Sequence, residues 1–204
     1  MNFSNDICRM LKGKKLLIFD FDGTVADTTP LHAAAFAEVL APLGIIIDYR
    51  SIAGMKTLDA MYKCLNDAGY SLPEKEVCEL VAAKQRSVRL MIARDLQPLP
   101  GVNDFLHWAR EHYRLAMVTS GSYGTVSLSL EKLGYTGWFD PLICADNIQK
   151  AKPDPEGFIK ALQMTAIPAV NALVFEDSEA GFNAARCAGL DCIDVKSYCF
   201  NLTT

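Results

Sequence analysis

Short apolar runs recur along this chain, and amphipathic stretches of helical length lie between most of them. The runs are Leu16-Leu17-Ile18-Phe19, Leu115-Ala116-Met117-Val118, the weaker Leu142-Ile143-Cys144, Ala172-Leu173-Val174-Phe175, and a fifth over residues 191–195. The amphipathic stretches cover 102–112, 124–133, 155–165 and 178–188. Strands that alternate with helices of this length predict an α/β fold, with a parallel sheet covered on both faces. Right-handed crossovers then bring every strand's C-terminal end to one edge, where open sheets of this kind bind ligands.

One interval breaks the rhythm. Residues 28–95 contain no good strand, and 30–40, 56–68 and 73–94 read as helices punctuated by Gly44, Gly54, Gly69 and Pro73. The interval is too long for a crossover, so it predicts a helical insertion, a cap, with joints near 25–29 and 94–100. The expected organisation is a core of residues 1–27 and 96–204 with a cap of residues 28–95. At 204 residues the chain is long enough for a full core plus a small inserted domain.

Bulk properties exclude several function classes. The net charge is −4, from 20 basic and 24 acidic residues, and no basic run stands out, so nucleic acid is not expected as a partner. No stretch approaches ~20 apolar residues and residues 1–15 lack a signal-peptide block, which predicts a cytoplasmic protein with no membrane association. Seven cysteines, Cys8, Cys64, Cys78, Cys144, Cys187, Cys192 and Cys199, form no C-x-x-C and are expected to be reduced. The histidines, His32, His107 and His112, have no zinc-site spacing. No long heptad or edge-strand signature calls for an obligate dimer, so a monomer is expected.

Four polar clusters follow predicted strands or the loops after them. Asp20-Phe21-Asp22-Gly23-Thr24 comes directly after the first run. Side chains at i and i+2 share a face, and two carboxylates, one able to hold a proton, can carry out phosphoryl transfer if a cation offsets their charge. Thr119-Ser120-Gly121-Ser122 follows the second run and offers a hydroxyl and backbone N–H groups to phosphate oxygens. Lys152, in Ala151-Lys152-Pro153-Asp154-Pro155, is presented in a fixed direction by its prolines, and Lys150 is a lesser candidate. Glu176-Asp177-Ser178 follows the fourth run with hard oxygen ligands suited to Mg²⁺. Each cluster alone also reads as a turn, a helix cap or a solvated loop. Together they converge on one edge in an order that four unrelated caps would not share.

At these residues the chain resembles the haloacid dehalogenase superfamily of phosphotransferases. The match runs through Asp20-Phe-Asp-Gly-Thr-Val, Thr119-Ser-Gly, Lys152-Pro-Asp-Pro and Phe175-Glu-Asp-Ser-Glu-Ala-Gly, essentially the full length. The insertion resembles the helical cap of the β-phosphoglucomutase-like branch, and within it the small sugar phosphatases of the fructose-1-phosphate phosphatase type. The resemblance implies a Rossmann-like core and a Mg²⁺-dependent reaction through an aspartyl-phosphate. Asp20 would be the nucleophile and Asp22 the acid and base. The metal would be held by Asp20, the backbone carbonyl of Asp22 and Asp177, with Glu176 direct or through water. Thr119, the Ser120 N–H and Lys152 would bind the phosphoryl group.

The cap is expected to choose the substrate, a small phosphorylated sugar such as a hexose phosphate. His32, Gly54, Met55, Lys56, Thr57 and Lys84 are its candidate contacts. Lys84 falls where the mutase has a sugar-phosphate lysine, but the mutase's arginine for the non-transferring phosphate corresponds here to Thr57. Lys56 beside it lacks the bidentate fork. This departure favours a phosphatase over the alternative, a β-phosphoglucomutase-type mutase.

Overall fold

A computed structural model describes residues 5–197 of the chain; Cys199 and the tail 201–204 lie outside them. Five parallel strands, β1 (Leu16–Phe19), β2 (Arg114–Val118), β3 (Leu142–Ile143), β4 (Ala172–Glu176) and β5 (Asp191–Asp194), form one sheet in the order β3-β2-β1-β4-β5. All five predicted runs are strands. The order reverses around β1, which pairs with β2 on one side and β4 on the other, so the crevice beyond β1 and β4 is the topological switch point.

The strand pattern explains the two-sided core. Leu17, Phe19, Leu115, Met117, Leu173 and Phe175 face one cluster, while Leu16, Ile18, Ala116, Val118, Ala172 and Val174 face the other. This is the period of two expected of a pleated strand. Phe19 and Phe175, in register across β1 and β4, stack with centroids 4.7 Å apart. On the first face lie α1 (Asn5–Leu11), α5 (Val102–His112) and α6 (Tyr123–Leu133); α7 (Glu156–Thr165) and α8 (Glu179–Cys187) cover the second. In α5 the buried Val102, Phe105, Leu106 and Ala109 recur at helical spacing. The helix α1 was not expected, because seven residues are too few to show a periodic stripe.

Between β1 and β2 run α2 (Thr29–Leu40), α3 (Thr57–Asp67) and α4 (Glu74–Asp95), with two short 3₁₀ turns between α2 and α3. They build a third cluster of their own from Phe36, Leu40, Ile52, Met61, Leu65 and Val77. Ala35 of α2, Val88 and Ile92 of α4, and Leu96 just after α4 belong instead to the cluster on the sheet, so the helical unit is seated on the core through α2 and the second half of α4. The six described cysteines are free. No helix among the described residues is long and apolar enough to cross a membrane.

Candidate active site

The ends of β1 and β4 place two carboxylates side by side. Phe19 is in register with Phe175, and the Asp20 N–H donates to the Phe175 carbonyl at 3.0 Å, so Asp20 lies beside Glu176. Lys152 arrives from the loop before α7 and bridges them. Its Nζ donates to Asp20 Oδ1 at 2.6 Å and to Glu176 Oε1 at 2.5 Å. All three side chains are buried. Burial works against the Lys152 ammonium, but Asp20 and Glu176 outweigh it and hold the amine above its ordinary range. Burial pushes the Asp20 carboxyl well above its own; Lys152 opposes this, while Glu176 and Asp22 add to it.

Glu176 is fully engaged. Its Oε2 accepts from the Asp177 N–H at 2.7 Å, the Ser178 N–H at 2.8 Å and the Ser178 hydroxyl at 3.0 Å. The same hydroxyl caps α8 by accepting from the Gly181 N–H at 3.1 Å. A Cβ at Gly181 would overlap the Glu176 carboxylate, so the glycine lets the acid lie against the helix. Gly23, at φ +82°, does the same for Asp177, whose carboxylate occupies the space a Cβ would need.

Ligand oxygens of Asp20, Glu176 and Asp177 lie within 4.8 Å of one another, a hard donor set able to hold a divalent cation. Within it, both Glu176 oxygens already accept hydrogen bonds, whereas Asp20 Oδ2 and Asp177 Oδ1 accept none from the described residues. The Asp177 carboxyl is raised by burial, against Lys196, whose Nζ lies 2.9 Å from Oδ2 and donates to the Asp177 carbonyl at 2.7 Å.

Two cavities meet over these carboxylates. One is lined by Asp20, Asp22, Ser120, Lys152, Asp177 and Lys196 among others. The other lies under α2 to α4 and is lined by His32, Phe36, Met55, Thr57, Lys84 and Gln85 among others. Asp22, Tyr49, Gly54 and Ser120 line both. Asp22 is steadied by the Thr28 hydroxyl, which donates to its Oδ1 at 2.5 Å. Thr119 sits one layer behind Ser120, buried, its hydroxyl accepting from the Gly121 N–H at 3.0 Å.

The structure thus gathers Asp20, Asp22, Ser120, Lys152, Glu176 and Asp177 at one edge, with Thr119 behind them and His32, Gly54, Thr57 and Lys84 around the adjoining cavity. Lys56 is not among them. Its amine reaches across to the carbonyls of Ile148 (3.0 Å) and Gln149 (3.3 Å), tying the start of α3 to the loop that leads to Lys152. Lys150, itself exposed, pairs at 3.7 Å with Asp154. Sequence reasoning missed Tyr49 and Lys196. Lys196 follows β5, so the rule that strand ends meet at one edge would have found it. Tyr49 sits in an aperiodic stretch that carries no such signal.

His32 and Lys84 are a buried pair. Lys84 Nζ lies 3.0 Å from His32 Nδ1, and His32 Nε2 is buried without a hydrogen-bond partner among the described residues, 3.8 Å from Asp22 Oδ1. Burial pushes the imidazole down to about 4, with Asp22 opposing and Lys84 adding to the shift. Burial pushes the Lys84 amine down to about 8, with Asp22 opposing. At neutral pH a charged Lys84 therefore donates to a neutral imidazole, whose proton sits on Nε2 facing Asp22. Between pH 8 and 10.5 the folded lysine binds fewer protons than the unfolded one, so its contribution to stability rises with pH across that window. Relative to Lys84→Met, the wild type should gain roughly 3 kcal/mol between the two ends. Denaturant melts of both proteins at each end check this, and parallel pH profiles would exclude it.

Residues 17–195 match the model of the family described as Haloacid dehalogenase-like hydrolase. The chain is 32% identical over 182 residues to the fructose-1-phosphate phosphatase YqaB of Escherichia coli K12, covering 88% of this chain and 95% of that protein. Among solved structures it resembles CbbY from Rhodobacter sphaeroides in complex with phosphate, with a TM-score of 0.79 and 28% identity, covering 88% of this chain and 84% of that one. It shares its fold with β-phosphoglucomutase from Clostridium difficile, at a TM-score of 0.79 and 24% identity, covering 88% and 83%. An open α/β sheet with this edge, matched along nearly its whole length, places the chain in the haloacid dehalogenase-like hydrolase family. It is a phosphatase of that family, with the fold of the β-phosphoglucomutase-like branch.

Proposed function

We propose that the enzyme hydrolyses a small phosphorylated sugar, with a hexose phosphate such as fructose 1-phosphate as the working substrate, by way of an aspartyl-phosphate on Asp20. The observation that carries this reading is the Lys152 bridge between Asp20 and Glu176, which points a buried nucleophile and a fixed cation into the cavity shared with Asp22 and Ser120. The names of the relatives support it, since YqaB is called a fructose-1-phosphate phosphatase and another is called a phosphorylated carbohydrates phosphatase.

In this reading Asp20 Oδ2, the oxygen that Lys152 leaves free, attacks phosphorus. The ester P–O bond breaks and the leaving oxygen takes a proton from Asp22. Water then attacks the phosphorus of the acyl phosphate, giving up its proton to Asp22; the bond to Asp20 breaks, which regenerates its carboxylate and releases inorganic phosphate. Lys152, the Ser120 N–H and, from behind, Thr119 neutralise and orient the phosphoryl oxygens. Mg²⁺ would be held by Asp20, Asp177 and the Asp22 carbonyl, and supplies charge neutralisation for attack on an anion. Glu176, with both oxygens engaged, orients Lys152 and would contribute to the metal site directly or through water. The helices of residues 28–95 act as a cap that closes over the sugar and excludes water.

A mutase is the second reading, and Lys84 beside His32 is the observation that keeps it. It must also grip a second phosphate, and no arginine among the described residues lines either cavity. Purified protein with Mg²⁺ should therefore release inorganic phosphate from fructose 1-phosphate or the glucose phosphates without isomerising them. Isomerisation of β-glucose 1-phosphate primed with the 1,6-bisphosphate, with no net release of phosphate, would establish the mutase instead.

A further inference from the structure

We infer that Tyr49 determines specificity: its phenol, borne by the cap, donates a hydrogen bond to a sugar hydroxyl near the phosphate ester. The inference rests on the sugar-phosphatase reading and names a contact within it.

Placement comes first. Tyr49 lines both cavities, so its side chain stands at the junction between the phosphoryl centre and the space under the cap. Its backbone is held in place. Tyr49–Ser51 is a 3₁₀ turn whose Asp48 carboxylate accepts the Arg50 N–H at 3.1 Å, and whose Ser51 hydroxyl donates to the Asp48 carbonyl at 2.8 Å. The next residue, Ile52, is buried in the cap's own cluster, and the Tyr49 ring lies 6.2 Å from that of Phe36. A tyrosine fixed in this way loses little freedom when it meets a ligand.

The state of its hydroxyl comes second. Near it, Asp22 Oδ1 already accepts from Thr28 and Ser122 pairs with Thr125, while Asp22 Oδ2 and Asp177 Oδ1 accept from no described residue, the phenol included. The Tyr49 hydroxyl bonds to no described residue. Burial, reinforced by Asp22 and Asp177, keeps the phenol protonated far above neutral pH, so it enters any complex as a donor. The phosphoryl oxygens are served from the core side by Lys152 and Ser120. A donor descending from the cap, in reach of the cavity that His32 and Lys84 line, meets the next group along the substrate, and in a sugar phosphate that group is a hydroxyl.

Tyr49→Phe keeps the ring and removes only the O–H. Its kcat/KM for fructose 1-phosphate and glucose 6-phosphate should fall about tenfold, as loss of one hydrogen bond to a neutral partner requires. With p-nitrophenyl phosphate, which has no hydroxyl beside the ester, it should stay within about twofold of wild type, with an unchanged melting temperature. An equal fall on both kinds of substrate would place the phenol on the phosphoryl group or on Asp22 and overturn the assignment, as would no fall on either. A wild-type protein that cleaves p-nitrophenyl phosphate but no sugar phosphate refutes the sugar reading itself, and the Tyr49 contact with it.

Discussion

Asp20→Asn should reduce phosphate release by at least about a thousandfold while leaving the fold intact, the size of effect seen when a nucleophile is removed from a site that keeps its other groups. The two side chains have the same shape, and the amide oxygen can still accept from Lys152, which now sits 2.6 Å from Asp20 Oδ1. A carboxamide does not attack phosphorus, so no acyl phosphate forms. Stability should hold or rise, because burial, Glu176 and Asp22 all work against the charged form of Asp20. Phosphate release and a thermal melt on the same preparation separate the two effects. Residual activity above roughly a tenth of wild type, against that thousandfold expectation, would show that Asp20 only holds the cation. A collapsed melting temperature would show that the carboxylate is needed for the fold.

How much of this site was legible before the structure follows from the way each residue is positioned. Asp20, Asp22, Ser120 and Asp177 announce themselves because an unbroken apolar run marks where a buried strand ends, and a parallel sheet sends all such ends to one edge. Lys152 was legible through its prolines. The cap residues were not legible in the same way. Lys56 and Thr57 are neighbours in sequence, yet Thr57 lines the cavity while Lys56 binds carbonyls 92 and 93 residues away. Which of two adjacent residues at a helix start turns inward is decided by tertiary contacts that leave no local periodicity. Glu176 shows the same limit. Its type and place suggested a metal ligand, but its four hydrogen bonds, and the glycine that makes room for it, emerge only in three dimensions.

Lys152→Met should damage both activity and stability, and the second effect shows how the site is built. Methionine fills most of the same volume without the charge, leaving two acids that are 9% and 1% exposed. Glu176 keeps three donors on Oε2 but loses the one that Lys152 gives Oε1, and Asp20 loses the one cationic partner it has among the described residues. Removing one member of a buried ionic cluster costs about 3–5 kcal/mol, because the remaining charge stays desolvated. Phosphate release should fall by about a hundredfold to a thousandfold, the scale of losing a preorganised donor at the transferring group. Adding Glu176→Gln removes the uncompensated charge, so denaturant melts of the double variant should recover part of the lost stability, a non-additivity expected of residues in contact. Its activity should stay low, since the cation that neutralises the phosphoryl oxygens is still missing. Strictly additive stability losses would mean the three residues are not one electrostatic unit. Activity restored along with stability would reduce Lys152 to a structural prop and leave charge neutralisation at this site to the metal alone.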